Sequence, residues 1–405
     1  MQRLSTLSCL RRSLLQTRLA FLSTCPTPTP IHTAKSRAFT VLALESSADD
    51  TCAAIVTSDR RVLSNVVIKQ HQLHGPTGGI YPPTAIDAHQ RNMPHAVRRA
   101  LQEAKMTMHD VDGIAFTRGP GIGGCLSVGS NAAKSLAAAL DKPLVGVHHM
   151  QAHALTSLLT APSASTTPRF PFLTLLVSGG HTLSVLATSL TSFRILGTTA
   201  DESVGRSFDK VARILGLEWG KRGLGAALED FCEAEPTTDE GKCDGEISSF
   251  AFPHPMRGRL DFSFASLHST VDRHLALLGR PPTLAEKRAL AREFQDAAVA
   301  QLCAKLRLAL DACAQRGVTV GDVVVSGGVA SNRYLRTRLR ESLDAYAALS
   351  ESTTEDARIE LAFPPVELCT DNAAMIGWAA MHRFLAGDYD PYDIDLKPKW
   401  SIEEI

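Results

Sequence analysis

Three short apolar runs along this chain each end in a cluster of small polar residues. Residues 40–44 (TVLAL) lead into ESSADDT at 45–51, residues 173–177 (LTLLV) into SGGHT at 178–182, and residues 323–325 (VVV) into SGGVASN at 326–332. Each reads as a strand followed by a turn. Paired glycines in such a turn supply positive φ and expose backbone N–H groups, which together make a nest for phosphate oxygens. A single SGG also fits an ordinary hairpin turn, but three strand-to-turn units of one design predict two related lobes closing on a nucleotide. Between them, helical spacing of apolar and small residues predicts helices over 89–104, 126–140, 205–216 and 285–316. Within the last, Phe294, Ala298, Leu302, Leu306 and Ala309 form a stripe that belongs to the core rather than to a cofactor. Segments 160–171, 233–249 and 347–357, rich in Ser, Thr, Pro and acidic residues, are expected as surface loops. The alternation of strands and helices gives an α/β class.

Composition narrows the class. At 405 residues, 44% hydrophobic and 21% charged, the chain can bury two cores. No apolar run approaches the ~20 residues that span a bilayer, so no membrane is expected as a partner. The nine cysteines form no CxxC pair, which favours a reducing compartment and disfavours a cysteine zinc site.

The zero formal charge hides an asymmetry. Arg3, Arg11, Arg12, Arg18, Lys35 and Arg37 precede the first acidic residue, Glu45, and without them 36 basic residues face 42 acidic ones. An acid-free start rich in Arg, Ser, Thr and Leu has the signature of a mitochondrial transit peptide, here expected over 1–38 with the Pro/Thr-rich 24–33 as linker. A basic tail for an acidic partner is the alternative. The remaining protein would be mildly acidic, so any nucleic acid must be met by a local basic patch.

His149 and His153 stand at i and i+4 in HHMQAH (148–153), a spacing that places both imidazoles on one helical face, suited to a single divalent ion. Two helix histidines that cap or hydrogen-bond locally fit the spacing equally well. Met150 occupies the place where an HExxH metallopeptidase carries its general base, which disfavours peptide hydrolysis. Asp371, in CTDN (369–372), could be a third ligand or merely a helix N-cap. Asp49 and Asp50, with Glu45 behind them, could accept a proton or cap the following turn. The run GPGIGG (119–124) reads as a second close-approach loop, although it matches neither GxGxxG in a dinucleotide context nor GxxxxGK[ST].

With these residues in place, the chain resembles the TsaD/Gcp/OSGEP family of tRNA N6-adenosine threonylcarbamoyltransferases, most closely its mitochondrial branch. The resemblance runs over nearly all of 40–385. It rests on ESSADDT (45–51), TRGPGIGGCLSVG (117–129), HHMQAH (148–153), LLVSGGHT (175–182), GRSFDKVARILGL (205–217), DFSFASLH (261–268), VSGGVASNRYLR (325–336) and PPVELCTDNAAMIGWA (364–379).

The resemblance implies a two-lobed α/β fold of the actin/sugar-kinase/Hsp70-like (ASKHA) class with duplicated mixed-sheet lobes. Lobe I would cover 39–147, with 372–405 returning to it, and lobe II 148–371. It implies transfer of a threonylcarbamoyl group from threonylcarbamoyl-AMP, supplied by a separate synthase, to N6 of the adenine 3′ of the anticodon in ANN-decoding mitochondrial tRNAs. His149, His153 and Asp371 would hold one divalent ion per subunit, Zn or Fe. Val177, Ser178, Gly179, Gly180 and His181 would cradle the phosphate and carbamoyl groups, and Asp209, Gly225 and Asn332 the ribose and adenine side. Asp49 and His181 are the catalytic candidates, a homodimer the expected assembly and the mitochondrial matrix the expected location.

Three positions depart from the family pattern. Ala48 stands where a cysteine is usual, Arg206 where a glutamate is usual, which would alter an ion pair. The usual PGGP turn is replaced over 220–225, leaving Gly225 or the alternate Gly223 against the adenylate. Two other classes compete: an HxxxH zinc metallopeptidase and an ASKHA ATPase or chaperone-like nucleotide-binding protein, the latter having no need of histidine metal ligands.

Overall fold

The computed structural model describes residues 37–75, 79–218, 220, 223–235, 251–349 and 358–405. The expected leader, most of the 233–249 loop and 350–357 of the third loop lie outside the described residues.

The chain forms two five-stranded sheets of identical topology. The first holds β1 (Thr40–Glu45), β2 (Thr51–Thr57), β3 (Val62–Ile68), β4 (Gly113–Gly119) and β5 (Leu144–His148) in the order β3-β2-β1-β4-β5. Strands β1 to β3 form an antiparallel meander, while β4 and β5 join β1 in parallel. The second holds β6 (Phe172–Val177), β7 (Thr182–Ala187), β8 (Phe193–Thr198), β9 (Asp322–Ser326) and β10 (Glu360–Ala362) in the order β8-β7-β6-β9-β10, with the same pattern of directions. Strand for strand, β6 to β10 repeat β1 to β5. This duplication is the pair of related lobes that the repeated strand-to-turn units foretold, and it has the duplicated mixed sheets of the ASKHA class that the resemblance implied.

The helices are α1 (His71–His74), α2 (Pro82–Ala104), α3 (Gly123–Ala139), α4 (His149–Thr160), α5 (Val204–Ile214), α6 (Leu224–Glu233), α7 (Ala265–Leu277), α8 (Leu284–Ala314), α9 (Arg333–Leu349), α10 (Val366–Cys369) and α11 (Ala373–Ala386). α2 begins seven residues before the expected 89, on Pro82 and Pro83, which fit a first turn whose N–H groups have no intrahelical partner. α8 opens on a capping box between Thr283 and Glu286 and buries the expected stripe from Phe294 to Ala309. The expected third loop begins later than 347, because α9 continues to Leu349.

Strands β1, β2, β5, β6 and β9 are buried along their whole length and read as near-continuous apolar runs rather than alternating ones, while the outer β3, β8 and β10 are partly exposed. Leu42 and Leu44 of β1 face α2 and α3, while Val41 and Ala43 face a core made with α4 and α11. In β6, Phe172 and Leu176 face that same α4/α11 core, while Leu173, Leu175 and Val177 face α5 to α9. Helices α4 and α11 therefore lie between the two sheets. Each starts at the C-terminal edge of a strand or the loop beside it, the edge where open α/β sheets bind ligands.

Candidate functional site

Strand β5 ends on His148 and α4 begins at His149 with no linker between them. His148 makes the junction: its Nδ1 accepts the amide N–H groups of Met150 (3.1 Å) and Gln151 (3.4 Å), and its Nε2 donates to the Trp400 carbonyl (3.1 Å). Burial pushes its pKa down to about 3, so the ring is neutral with its proton on Nε2, as both sets of bonds require. The local capping role that His149 and His153 could have filled thus falls to their neighbour.

His149 and His153 are both buried, with ring centroids 4.8 Å apart and planes at 87°. Their Nε2 atoms converge on one carboxylate oxygen, Asp371 Oδ1, at 3.5 Å and 3.1 Å. Asp371 is available because it is not the helix cap. Asn372 is, its Oδ1 accepting the Met375 N–H at 3.0 Å while its Nδ2 donates to the carbonyls of Leu368 and Thr370.

Behind His149 stands Glu45, at the end of β1 and fully buried. One of its oxygens accepts from Ser47 N at 2.5 Å, and the other accepts from the Thr117 hydroxyl and lies 3.2 Å from His149 Nδ1. Burial alone would strip charge from this cluster, but Glu45 and Asp371 reverse that for His149, whose pKa rises to about 10. Against the same penalty, His149 holds the Glu45 carboxyl below its usual value, and His149 and His153 hold Asp371 well below. The pocket is therefore an electrostatic well for positive charge, whether a proton or a metal ion fills it. One ligand atom from each of His149, His153 and Asp371 lies within 4.8 Å of the others, and a carboxylate orients the far nitrogen of His149, the pattern of a metal-binding histidine. The donor set fits a divalent ion of the Zn or Fe type. Met150, which replaces the peptidase glutamate, is core and brings no carboxylate.

The turn after β6 lies beside this cluster. Burial, then the neighbouring His149 and His153, push His181 down to about 4. Its fine structure differs from the expected nest. The Ser178 hydroxyl accepts the amides of Gly180 (3.3 Å) and His181 (3.0 Å), so these donors are internally engaged and reach a ligand only if Ser178 rotates. The glycine with positive φ is Gly327 of the partner turn after β9, at +102°, and a Cβ there would overlap the Val177 carbonyl. Gly179 and Gly180, by contrast, face open space with no atom within 4 Å of an added Cβ. Gly327 thus serves packing of the two turns, and Gly179 and Gly180 leave room beside them. Ser203, the N-cap of α5, fixes the turn from behind by donating to the Gly179 carbonyl.

Asp209 and Gly225 come together, the Gly225 amide donating to Asp209 Oδ1 at 2.9 Å. Burial raises the Asp209 pKa, and the carboxyl also feels His71 of α1 and Asp49 of the loop between β1 and β2. Gly223, at φ +97°, is instead the N-cap position of α6. Asn332 is committed to structure: its Oδ1 accepts Leu335 N at 2.8 Å at the start of α9, and its Nδ2 donates to Gln295 at 3.2 Å.

Asp49 faces His71 of α1 at 3.6 Å, a partner the sequence pattern did not suggest. Asp50 is strongly perturbed. Its carboxyl is buried, with Oδ1 lacking a hydrogen-bond partner, and burial followed by the charges of Asp49 and Asp371 lifts its pKa to about 7. Two adjacent carboxyls in unlike surroundings are a recurring arrangement for proton transfer.

The departures from the family pattern fall in place. Ala48 contributes its backbone carbonyl, 3.1 Å from His89 Nε2. The Arg206 side chain is exposed, and its amide donates to Ser203. The GPGIGG loop approaches the chain's own backbone rather than open space: a Cβ on Gly119 would meet the carbonyl carbon of Lys397 at 2.6 Å, and one on Gly121 the Ser47 carbonyl at 2.7 Å.

Comparison with known proteins bears on this site. Residues 61–378 match the family model described as TsaD, tRNA N6-adenosine threonylcarbamoyltransferase. A protein of that name from Cereibacter sphaeroides is 40% identical over 382 residues, covering 91% of this chain and 96% of the relative. Another from Sphingopyxis alaskensis is 39% identical, covering 90% and 95%. A relative from Arabidopsis thaliana, named as mitochondrial, is 36% identical and covers 90% of this chain and 75% of its own length.

Proposed function

The chain belongs to the tRNA N6-adenosine threonylcarbamoyltransferase family, and from that premise we propose that it transfers threonylcarbamoyl from threonylcarbamoyl-AMP to N6 of the adenine 3′ of the anticodon in ANN-decoding mitochondrial tRNAs. The observation that carries the reading is the convergence of His149, His153 and Asp371 beside the Ser178–Gly179–Gly180 turn, which joins a site for positive charge to open space for an acyl phosphate.

In the reaction, the N6 amine attacks the carbamoyl carbon, the bond from that carbon to the phosphate oxygen breaks, and AMP leaves with the electron pair. His149, His153 and Asp371 would hold one divalent ion, Zn or Fe, which would supply Lewis-acid neutralisation of phosphate charge. His181, neutral in its buried setting, donates a hydrogen bond from its ring to a phosphate or carbonyl oxygen without adding charge. Rotation of Ser178 releases the amides of Gly180 and His181 to the same oxygens. Asp209 and the Gly225 backbone position the ribose and adenine of the adenylate, with Val177 lining the turn and Asn332 holding the start of α9 behind it. Asp49 accepts the N6 proton directly or through water. AMP is a good leaving group, so fixing the amine in line with the carbonyl contributes more than the proton transfer does.

The protein works as a homodimer in the mitochondrial matrix, after loss of residues 1–38, on adenylate delivered by a separate synthase. The residues 39–147 and 372–405 act as one lobe and 148–371 as the other. The test is reconstitution with an adenylate-forming synthase, threonine, bicarbonate, ATP and an ANN-decoding tRNA. Mass spectrometry of the digested tRNA is expected to show N6-threonylcarbamoyladenosine. Its absence where the Cereibacter relative succeeds with the same synthase contradicts the reading.

A further inference from the structure

The C-terminal segment 395–400 straps the edge of the first sheet. Lys397 N donates to the Arg118 carbonyl (3.0 Å), Arg118 Nε to the Asp395 carbonyl (2.7 Å), and Gly121 N to the Pro398 carbonyl (3.1 Å), while the Trp400 carbonyl receives His148. The strap thereby touches the ends of β4 and β5 and the residue that caps α4, one position before His149. Its far end reaches the second sheet, where Glu403 Oε1 accepts the β8 amide of Ile195 at 2.8 Å.

On this strap three side chains gather. The Arg118 guanidinium carbon lies 5.4 Å, and the Lys397 ammonium 4.7 Å, from the centroid of the Trp400 indole, whose other neighbour is the His148 ring at 4.7 Å. All three are partly exposed. Among the described residues, neither Arg118 nor Lys397 forms an ion pair with a carboxylate, and Lys399 beside them is exposed. Holding two like charges on one aromatic ring opposes their repulsion with cation–π attraction, and the arrangement gains when an anion sits across both.

Net charge gives this protein no general attraction for a polyanion, so a substrate RNA has to be met locally. We propose that Arg118 and Lys397, splayed on Trp400, bind backbone phosphates of the tRNA anticodon arm and so deliver the target adenine to the His149 edge. The inference rests on the tRNA-modifying reading above. The cations act as a register: they fix where the RNA backbone runs, and carry no sequence information.

The test is equilibrium binding of an in-vitro transcribed ANN-decoding tRNA to the full chain between about 50 and 200 mM salt. Lys397→Gln and Arg118→Gln are each expected to weaken binding about 3- to 10-fold at the lowest salt. Each should also reduce the slope of log affinity against log salt by about 0.7–0.9, the signature of one lost phosphate contact. Lys397→Arg, which keeps the charge, is expected to keep the slope. The Lys397 tie to β4 runs through its backbone, so Lys397→Gln should melt with the parent. Parent protein that binds tRNA while both glutamine variants keep its slope overturns the patch and leaves the proposed function standing. Parent protein that does not bind tRNA at all overturns both.

Discussion

Gly179 and Gly327 sit in two turns of the same SGG sequence, and alanine at each should do opposite things. At Gly327, φ of +102° with ψ of 163° is a backbone region essentially reserved for glycine, and it costs an L-residue about 1–3 kcal/mol. The new Cβ would also overlap the Val177 carbonyl, with the carbonyl carbon at 2.7 Å. Because the obstacle is backbone, relief requires moving a turn, about 1–3 kcal/mol more. Gly327→Ala should therefore lose about 2–6 kcal/mol and melt several degrees lower, at about 2–4 °C per kcal/mol for a large domain. At Gly179 the φ lies outside the left-handed range and no atom is within 4 Å of the Cβ. There Ala should leave stability unchanged, or raise it by about 0.4–1 kcal/mol through the unfolded state. If the open space is where the acyl phosphate lies, the same methyl must meet the ligand, and affinity for a non-hydrolysable threonylcarbamoyl-adenylate analogue should fall at least about tenfold, or 1.4 kcal/mol. Thermal melting and calorimetric titration of the two variants read both effects. A Gly179→Ala protein that melts like the parent and binds the analogue with parental affinity refutes the cradle.

Further outcomes follow from the same geometry. Glu45→Gln removes the carboxylate behind His149 Nδ1 and should weaken metal affinity about 10- to 100-fold, measured by chelator competition, while the first three ligands stay in place. Asp49→Asn should slow single-turnover transfer by about 10²-fold or more, and full activity in that variant removes Asp49 as the proton acceptor. His71 pairs with Asp49, which raises its pKa above 6.5 against the effect of burial. A raised histidine stabilises the fold fully below its unfolded value, so the advantage of the parent over His71→Gln should be complete below about pH 6.5 and vanish as pH rises through the folded value. Urea melts across that range check it, and a pH-independent difference contradicts the pairing.

Much of the fold was legible because each of its strands at the site ends in a distinctive cluster. The three strand-to-turn units proved to be β1, β6 and β9, equivalent positions of a duplicated sheet apart from β9, which corresponds to β4. The His149/His153 pair was legible as a helical face, but the choice between metal and cap was not. The cap is His148, whose capping depends on a ring tautomer set by the distant Trp400 carbonyl. Asp371 looked like a cap because Asp and Asn are both good caps, and only the three-dimensional start of α11 assigns that task to Asn372. The GPGIGG loop carried the mark of a close approach, yet local sequence could not say to what, and the answer was the C-terminal strap at Gly119 and the Ser47 backbone at Gly121. The burial of Asp50 was equally invisible, since its environment is assembled from residues far apart in the chain.

Direct transfer is the central claim, and it can be isolated from adenylate synthesis. The full chain, supplied with zinc or ferrous ion, is mixed in excess with purified threonylcarbamoyl-AMP and an ANN-decoding tRNA, with no synthase or ATP present, and AMP and modified nucleoside are quantified in one turnover. One AMP is expected for each N6-threonylcarbamoyladenosine formed, with loss of both in Asp371→Asn. AMP released without modified adenine, or modification undiminished in Asp371→Asn, would contradict the claim.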